Sequence, residues 1–210
     1  MSALLDLSTA LGGYLDRLVA VLEERTDLVA AYLLGSAAYG GYEPGRSDVD
    51  VTGVVAQPLS LDEKQELVTT IEALACPARK LELVVYSRDE AARETPSFEL
   101  NLNTGESVAF TPGDESPHWF ALDRAVGEKH AVTLHGPDWS EVFAPVSREQ
   151  LLTAFETALD WQERDDPLGR SSVLNACRMW MWLETGEVVT KQEAAAWLRG
   201  RVREKLEAAK

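Results

Sequence analysis

Apolar residues recur along the chain at two different periods, and the switching between them marks out the elements. Leu4, Leu7, Leu11, Tyr14, Leu15, Leu18 and Leu22 follow at three- and four-residue steps, the spacing of a helix with one buried stripe. The run LVAAYLL, residues 28–34, is short and continuously apolar, as a buried strand requires. Gly35 then turns the chain. DVDVTGVV, residues 48–55, predicts a second strand, and KLELVVY, residues 80–86, a third. Between them Ser60 and Glu63 stand in capping-box spacing ahead of Leu67, Val68, Ile71 and Leu74, which predicts a helix. Residues 87–117 mix turn formers with brief alternation and read as loop with one or two short strands. HWFALDRAVGEKH then reads as a helix, and AVTLHGP as a strand ended by Gly136 and Pro137.

From Ser147 onward the period is helical. Ser147 and Gln150 form a box ahead of Leu151, Leu152, Phe155 and Leu159. SSVLNACRMWMWLETG ends on Gly186, placed as a C-cap, and Thr190 with Glu193 opens a last helix. The expected division is an α+β domain over residues 1–145 and a small helical domain over 146–210. Neither internal repeats nor low-complexity segments interrupt this pattern.

Composition narrows the partners. The chain has 210 residues, 45% of them hydrophobic, enough for a substantial core, and its 35 acidic against 20 basic residues leave a net charge of −15. Nucleic acid is excluded as a main partner, because binding it needs a basic footprint. Such a field attracts a small cationic ligand, although solubility alone also explains acidity. Cys76 and Cys177 show no metal or redox spacing, and the N-terminus lacks the long apolar block of a secretion signal. No run reaches the roughly 18 apolar residues of a membrane span. A cytoplasmic monomer with reduced thiols and no membrane association is expected.

The candidate chemistry lies in GSAAYGGYEPGRSDVDV. Asp48 and Asp50 alternate with Val49 and Val51, so both carboxylates point to one side of their strand. Two carboxylates this close repel each other and gain from a shared cation, for which Mg²⁺ is the usual hard partner. Glu82 occupies the corresponding face of the third strand and can approach the pair if the strands are neighbours. Three carboxylates around two Mg²⁺ ions and phosphate are what two-metal phosphoryl chemistry requires. Gly35 allows close backbone approach to a phosphate, and Ser36 and Ser47 add hydroxyl donors. The same serines suit ordinary turns. Trp180 and Trp182 read as core or domain-interface residues, and His118, His130 and His135 have no metal spacing.

Gly-Ser, a spacer, Asp-x-Asp and a later strand carboxylate resemble the signature of the nucleotidyltransferase superfamily, with its polymerase-beta-like mixed sheet. Together with LELVVY, AVTLHGPDWSEVFAPVSREQLLTAFETALDW and NACRMWMWLETGEVVTKQEAAAWL, they resemble the aminoglycoside 3''(9)-adenylyltransferases over most of the chain. The resemblance implies AMP transfer from ATP, with Mg²⁺, to a hydroxyl of a cationic aminoglycoside such as streptomycin or spectinomycin. It implies that Asp48 and Asp50 bind metal and that Glu82 acts as metal ligand and general base. Gly35, Ser36, Ser47, Arg178 and Lys191 would hold the triphosphate. Trp161 and Asp166 would contact the acceptor, while the family's second acidic position falls at Leu168 and its tryptophan after the third strand has Asn101 opposite it. The family pattern runs on past the position of Lys210. The other readings are a nucleotidyltransferase with a different small-molecule or protein hydroxyl as acceptor, and a nucleotide- or drug-binding module without turnover.

Overall fold

The structure, a computed structural model, describes residues 9–114 and 118–210. It divides into two compact units between Val146 and Ser147. The first is built on a six-stranded mixed sheet. In chain order its elements are α1 (Thr9–Arg25), β1 (Leu28–Leu34), α2 (Gly35–Tyr39), β2 (Val49–Val55), α3 (Leu61–Glu72), β3 (Leu81–Ser87), α4 (Arg88–Ala91), β4 (Leu100–Asn103), β5 (Ser107–Ala109), α5 (His118–His130), β6 (Val132–His135) and α6 (Trp139–Val142). The strands lie in the order β5-β4-β3-β2-β1-β6. β2 and β3 run parallel, joined through α3, and the other neighbours are antiparallel. The helix expected from Leu4 to Leu22 is present as α1, and Leu4 and Leu7 lie outside the described residues.

Strand alternation gives the sheet two buried faces. Val49, Val51 and Val55 of β2 join Leu81, Leu83 and Val85 of β3 against Leu15, Leu18 and Leu22 of α1 and Leu67 and Ile71 of α3. Val54 and Tyr86 face the opposite way, into a cluster with Tyr32, Phe98, Trp139 and Phe143. Trp139 and Phe143 stack with ring centroids 4.1 Å apart, and Tyr32 meets Trp139 edge-on at 5.0 Å. Gly127 on α5 makes room for this cluster, since a Cβ there would lie 2.5 Å from the Trp139 ring. Each fully buried leucine contributes about 1.5–3 kcal/mol relative to exposure. Both faces thus hold β2 and β3 rigidly at the point where their acidic residues emerge.

The stretch expected to be loop with short strands contains β4 and β5, and also α4 and a single 3-10 turn at Pro112–Asp114. Neither α4 nor α6 was expected, because a single turn is too short to show a helical period. α6 opens at its N-cap Asp138, whose backbone N–H donates to Glu141 Oε1 at 3.2 Å.

The second unit consists of α7 (Arg148–Asp165), α8 (Arg170–Thr185) and α9 (Lys191–Ala208). The Ser147/Gln150 and Thr190/Glu193 capping boxes are both formed, and Gly186 closes α8 in a left-handed cap. Phe155 meets the Trp182 ring edge-on at 5.1 Å, and the Arg148 guanidinium lies 4.8 Å from the same ring. Trp182 is buried in this packing, whereas Trp180 is half exposed and donates its Nε1 hydrogen to Glu184. Among the described residues no helix is long and apolar enough to cross a membrane.

Candidate active site

The parallel register of β2 and β3 sets Asp50 directly opposite Glu82. On the far sides, Leu34 of β1 pairs with Asp50 and Asn103 of β4 pairs with Glu82. Two carboxyl groups in such neighbouring positions cannot both be comfortably ionised. Burial first, and then the charges of Glu82, Asp123 on α5 and Asp48, push Asp50 well above the usual carboxylate range. Burial and the surrounding negative charge thus favour the neutral form of Asp50. Gly35, the first residue of α2, sits against this carboxyl: a Cβ there would fall 1.8 Å from Asp50 Oδ2. Its φ of +59° adds a second reason for glycine.

Two cations that immediately precede β3 grip the carboxylates. Arg79 donates from Nε to Asp48 Oδ1 at 2.8 Å and from Nη2 to Asp48 Oδ2 at 2.7 Å, a two-pronged pair. Asp48 lies just before β2, and this fork fixes where its side chain points. Lys80 reaches Glu82 Oε1 at 2.8 Å and Glu106 Oε2 at 2.6 Å. Burial works to lower the pKa of Lys80, but the hydrogen bonds with Glu106 and Glu82 outweigh it and raise the value. The donor chemistry fits Mg²⁺: the oxygens are hard, and the excess negative charge around Asp50 is what an added cation relieves. Among the described residues no three acidic, histidine or cysteine side chains form a ready metal cage. Asp48, with both oxygens on Arg79, would have to exchange the guanidinium for the ion.

Comparisons with known proteins agree with this architecture. Residues 141–209 match the family described as "Aminoglycoside adenylyltransferase, C-terminal domain". The chain is 29% identical to an aminoglycoside (3'')(9) adenylyltransferase of Klebsiella pneumoniae over 90% of its own length and 78% of that protein. It is 28% identical to a spectinomycin 9-adenylyltransferase of Staphylococcus aureus, over 82% of this chain and 71% of the other. A crystal structure of spectinomycin adenyltransferase from Enterococcus faecialis with ATP and spectinomycin superposes with a TM-score of 0.73 at 19% identity, covering 87% of this chain and 79% of that one. That likeness is one of fold. The chain is a nucleotidyltransferase resembling the aminoglycoside 3''(9)-adenylyltransferases.

In this nucleotidyltransferase the expected residues meet different surroundings. Ser36 lies in α2, one residue beyond the glycine that faces Asp50. Ser47 is tied into the preceding loop, where its hydroxyl oxygen accepts from the Glu43 backbone N–H at 3.0 Å and its own N–H donates to the Glu43 carbonyl. In the second unit Arg178 is a partly buried residue of α8, and Lys191 opens α9 directly after its Thr190 cap. Trp161 is partly buried on α7. Asp166 ends that helix, and its Oδ2 accepts from the Ser172 hydroxyl at 2.9 Å, tying together the α7–α8 corner. Leu168, at the expected second acidic position, is exposed in the same corner.

Arg79, Lys80, Glu106, Asn103 and Asp123 escaped the sequence reading. Arg79 and Lys80 stand immediately before the third apolar run, and a basic pair beside an acidic site was the available signal. Glu106 and Asn103 come from β4 and its turn, whose register the sequence did not specify.

Proposed function

We propose that this nucleotidyltransferase transfers AMP from ATP to a hydroxyl of an aminoglycoside or aminocyclitol such as streptomycin or spectinomycin, with release of pyrophosphate. The observation that carries the reading is the direct pairing of Asp50 with Glu82 across β2 and β3, with Gly35 pressed against Asp50. Curated relatives named as aminoglycoside and spectinomycin adenylyltransferases support the acceptor class.

Glu82 accepts the proton of the acceptor hydroxyl as the oxygen attacks the α-phosphorus. The new phosphorus–oxygen bond forms as the bond to pyrophosphate breaks, so the charge passes to the leaving group. Asp48, Asp50 and Glu82 would hold Mg²⁺, which supplies neutralisation of the phosphate oxygens and stabilises the ionised form of Asp50. Gly35 admits close approach of the nucleotide to the backbone, and Ser36 and Ser47 offer hydroxyl hydrogens to its phosphates. Arg178 and Lys191 of the helical unit would add positive charge to the triphosphate, and Trp161 and Asp166 would contact the acceptor. Positioning and charge neutralisation carry most of the acceleration in such transfers.

Incubation with labelled ATP, Mg²⁺ and a panel containing streptomycin, spectinomycin and simple alcohols tests the reading. One of the aminocyclitols should acquire AMP, with stoichiometric pyrophosphate. Glu82→Gln should lower turnover by at least about 10²-fold, the usual contribution of a general base, while ATP still binds. Label appearing only on another class of acceptor, or full turnover by the variant, would refute it.

A further inference from the structure

Lys80 stands two residues ahead of Glu82, and only 9% of its side chain is exposed. A buried ammonium is costly unless its hydrogens find acceptors. This one has three hydrogens and three partners: Glu106 Oε2 at 2.6 Å, Glu82 Oε1 at 2.8 Å and Asn103 Oδ1 at 3.1 Å. Two of these come from outside the carboxylate pair. Asn103 is the last residue of β4, and Glu106 sits in the turn before β5. Arg79 ties the same turn down again, from Nη1 to Glu106 Oε1 at 3.1 Å.

Glu82 is thus held by Lys80 and lies directly opposite Asp50 in the β2–β3 register. Its own side chain is 38% exposed, so burial alone does not fix its rotamer. We propose that Lys80, seated by Asn103 and Glu106, is the positioning residue for the proton-accepting Glu82, and that the β4–β5 turn thereby sets the aim of the base. This rests on the reading of Glu82 as that base. In this scheme Lys80 acts on neither the nucleotide nor the acceptor, only on the Glu82 carboxylate. It fixes the oxygen that must meet the acceptor hydroxyl, where a displacement of about 1 Å costs on the order of 10²-fold in rate.

Two rival roles give different results. A lysine that only pins β3 to the hairpin would affect stability. A lysine that binds the triphosphate would affect ATP affinity. The full chain is compared with Lys80→Met, which keeps the apolar stem without the ammonium, with Lys80→Arg, and with Glu106→Gln, which leaves Lys80 in place but weakens its seat. Pyrophosphate release is followed with ATP, Mg²⁺ and whichever unmodified aminocyclitol the parent chain adenylylates, ATP affinity by calorimetry, and folding by the thermal midpoint. The expected result is a kcat about 10²-fold lower in Lys80→Met, about tenfold lower in Glu106→Gln, and partly restored in Lys80→Arg, with KM and affinity for ATP within about threefold of the parent. Unchanged kcat in the first and third of these variants would overturn the proposal and leave the role of Glu82 standing. So would ATP affinity falling in parallel with kcat. Should Lys80→Met fail to fold, full kcat in Glu106→Gln would likewise overturn it. Absence of turnover in the parent chain would remove the reading of Glu82 and this proposal together.

Discussion

Asp50 is the residue at which folding and chemistry conflict. Its carboxyl is raised by burial and by three neighbouring acidic groups, so the folded state favours its protonated form more than the unfolded chain does. The sign follows from linkage: the folded state binds the extra proton, so this contribution is intact below the unfolded value of about 3.9 and is lost as pH rises towards the folded value. Asp50→Asn should therefore melt above the parent at pH 8, by about 2–4 °C for each kcal/mol relieved, and the difference should shrink towards pH 4. Transfer activity should be lost over the whole range. A variant that melts at or below the parent at pH 8 would show that the repulsion is already relieved in the folded protein. Gly35→Ala bears on the same contact from the other side, since its Cβ would collide with Asp50 Oδ2, and both melting temperature and activity should fall. At this scale the acidic positions were legible because strand alternation is strict: Asp50 and Glu82 share a face as a consequence of period two. The grip on them was not legible. The partners of Lys80 depend on the register of β4 against β3, which no local pattern encodes. Ser47 and Asp166 show the converse, residue types suited to ligand contacts that also satisfy hydrogen bonds of their own loop or helix corner.

At the scale of elements, the boundaries easiest to read were those written in short-range chemistry. The boxes Ser60/Glu63, Ser147/Gln150 and Thr190/Glu193 each satisfy the first amides of a helix from residues three apart, so four residues suffice to announce them. β1 was equally plain, as a continuous apolar run between two helical periods. α4 and α6 were hidden because four residues cannot display a period of 3.6. The box matters most at α9, whose buried side chains are limited to Ala194. A helix with so little packing leans on its cap and its own side-chain pairs. Thr190→Ala should therefore cost about 1 kcal/mol locally. Amide hydrogen exchange over the first turn of α9 should speed up roughly fivefold, with the sheet amides unchanged. Equal exchange in parent and variant would mean that α9 is held by contacts other than its cap.

For the whole molecule the deciding quantity is its net charge of −15. The two substrates of the proposed reaction carry opposite charges, a multiply cationic aminocyclitol and an anionic nucleotide. Arg79 and Lys80 are committed to carboxylates, so the positive charge nearest the site offsets acidic residues before it offsets phosphate. The molecular field should then draw in the acceptor and resist the nucleotide. Salt screens both effects, with a Debye length of about 10 Å at 0.1 M and about 3 Å at 1 M. Raising NaCl from about 0.05 M to about 0.5 M should therefore increase KM for the aminocyclitol several-fold while KM for ATP falls or holds, as Mg²⁺ is kept saturating. The opposed directions are the diagnostic feature. A general salt effect on folding or on the chemical step would move both constants the same way or change kcat alone. Parallel movement of the two KM values would separate the acidity of this chain from its choice of acceptor and leave solubility as the reason for the charge.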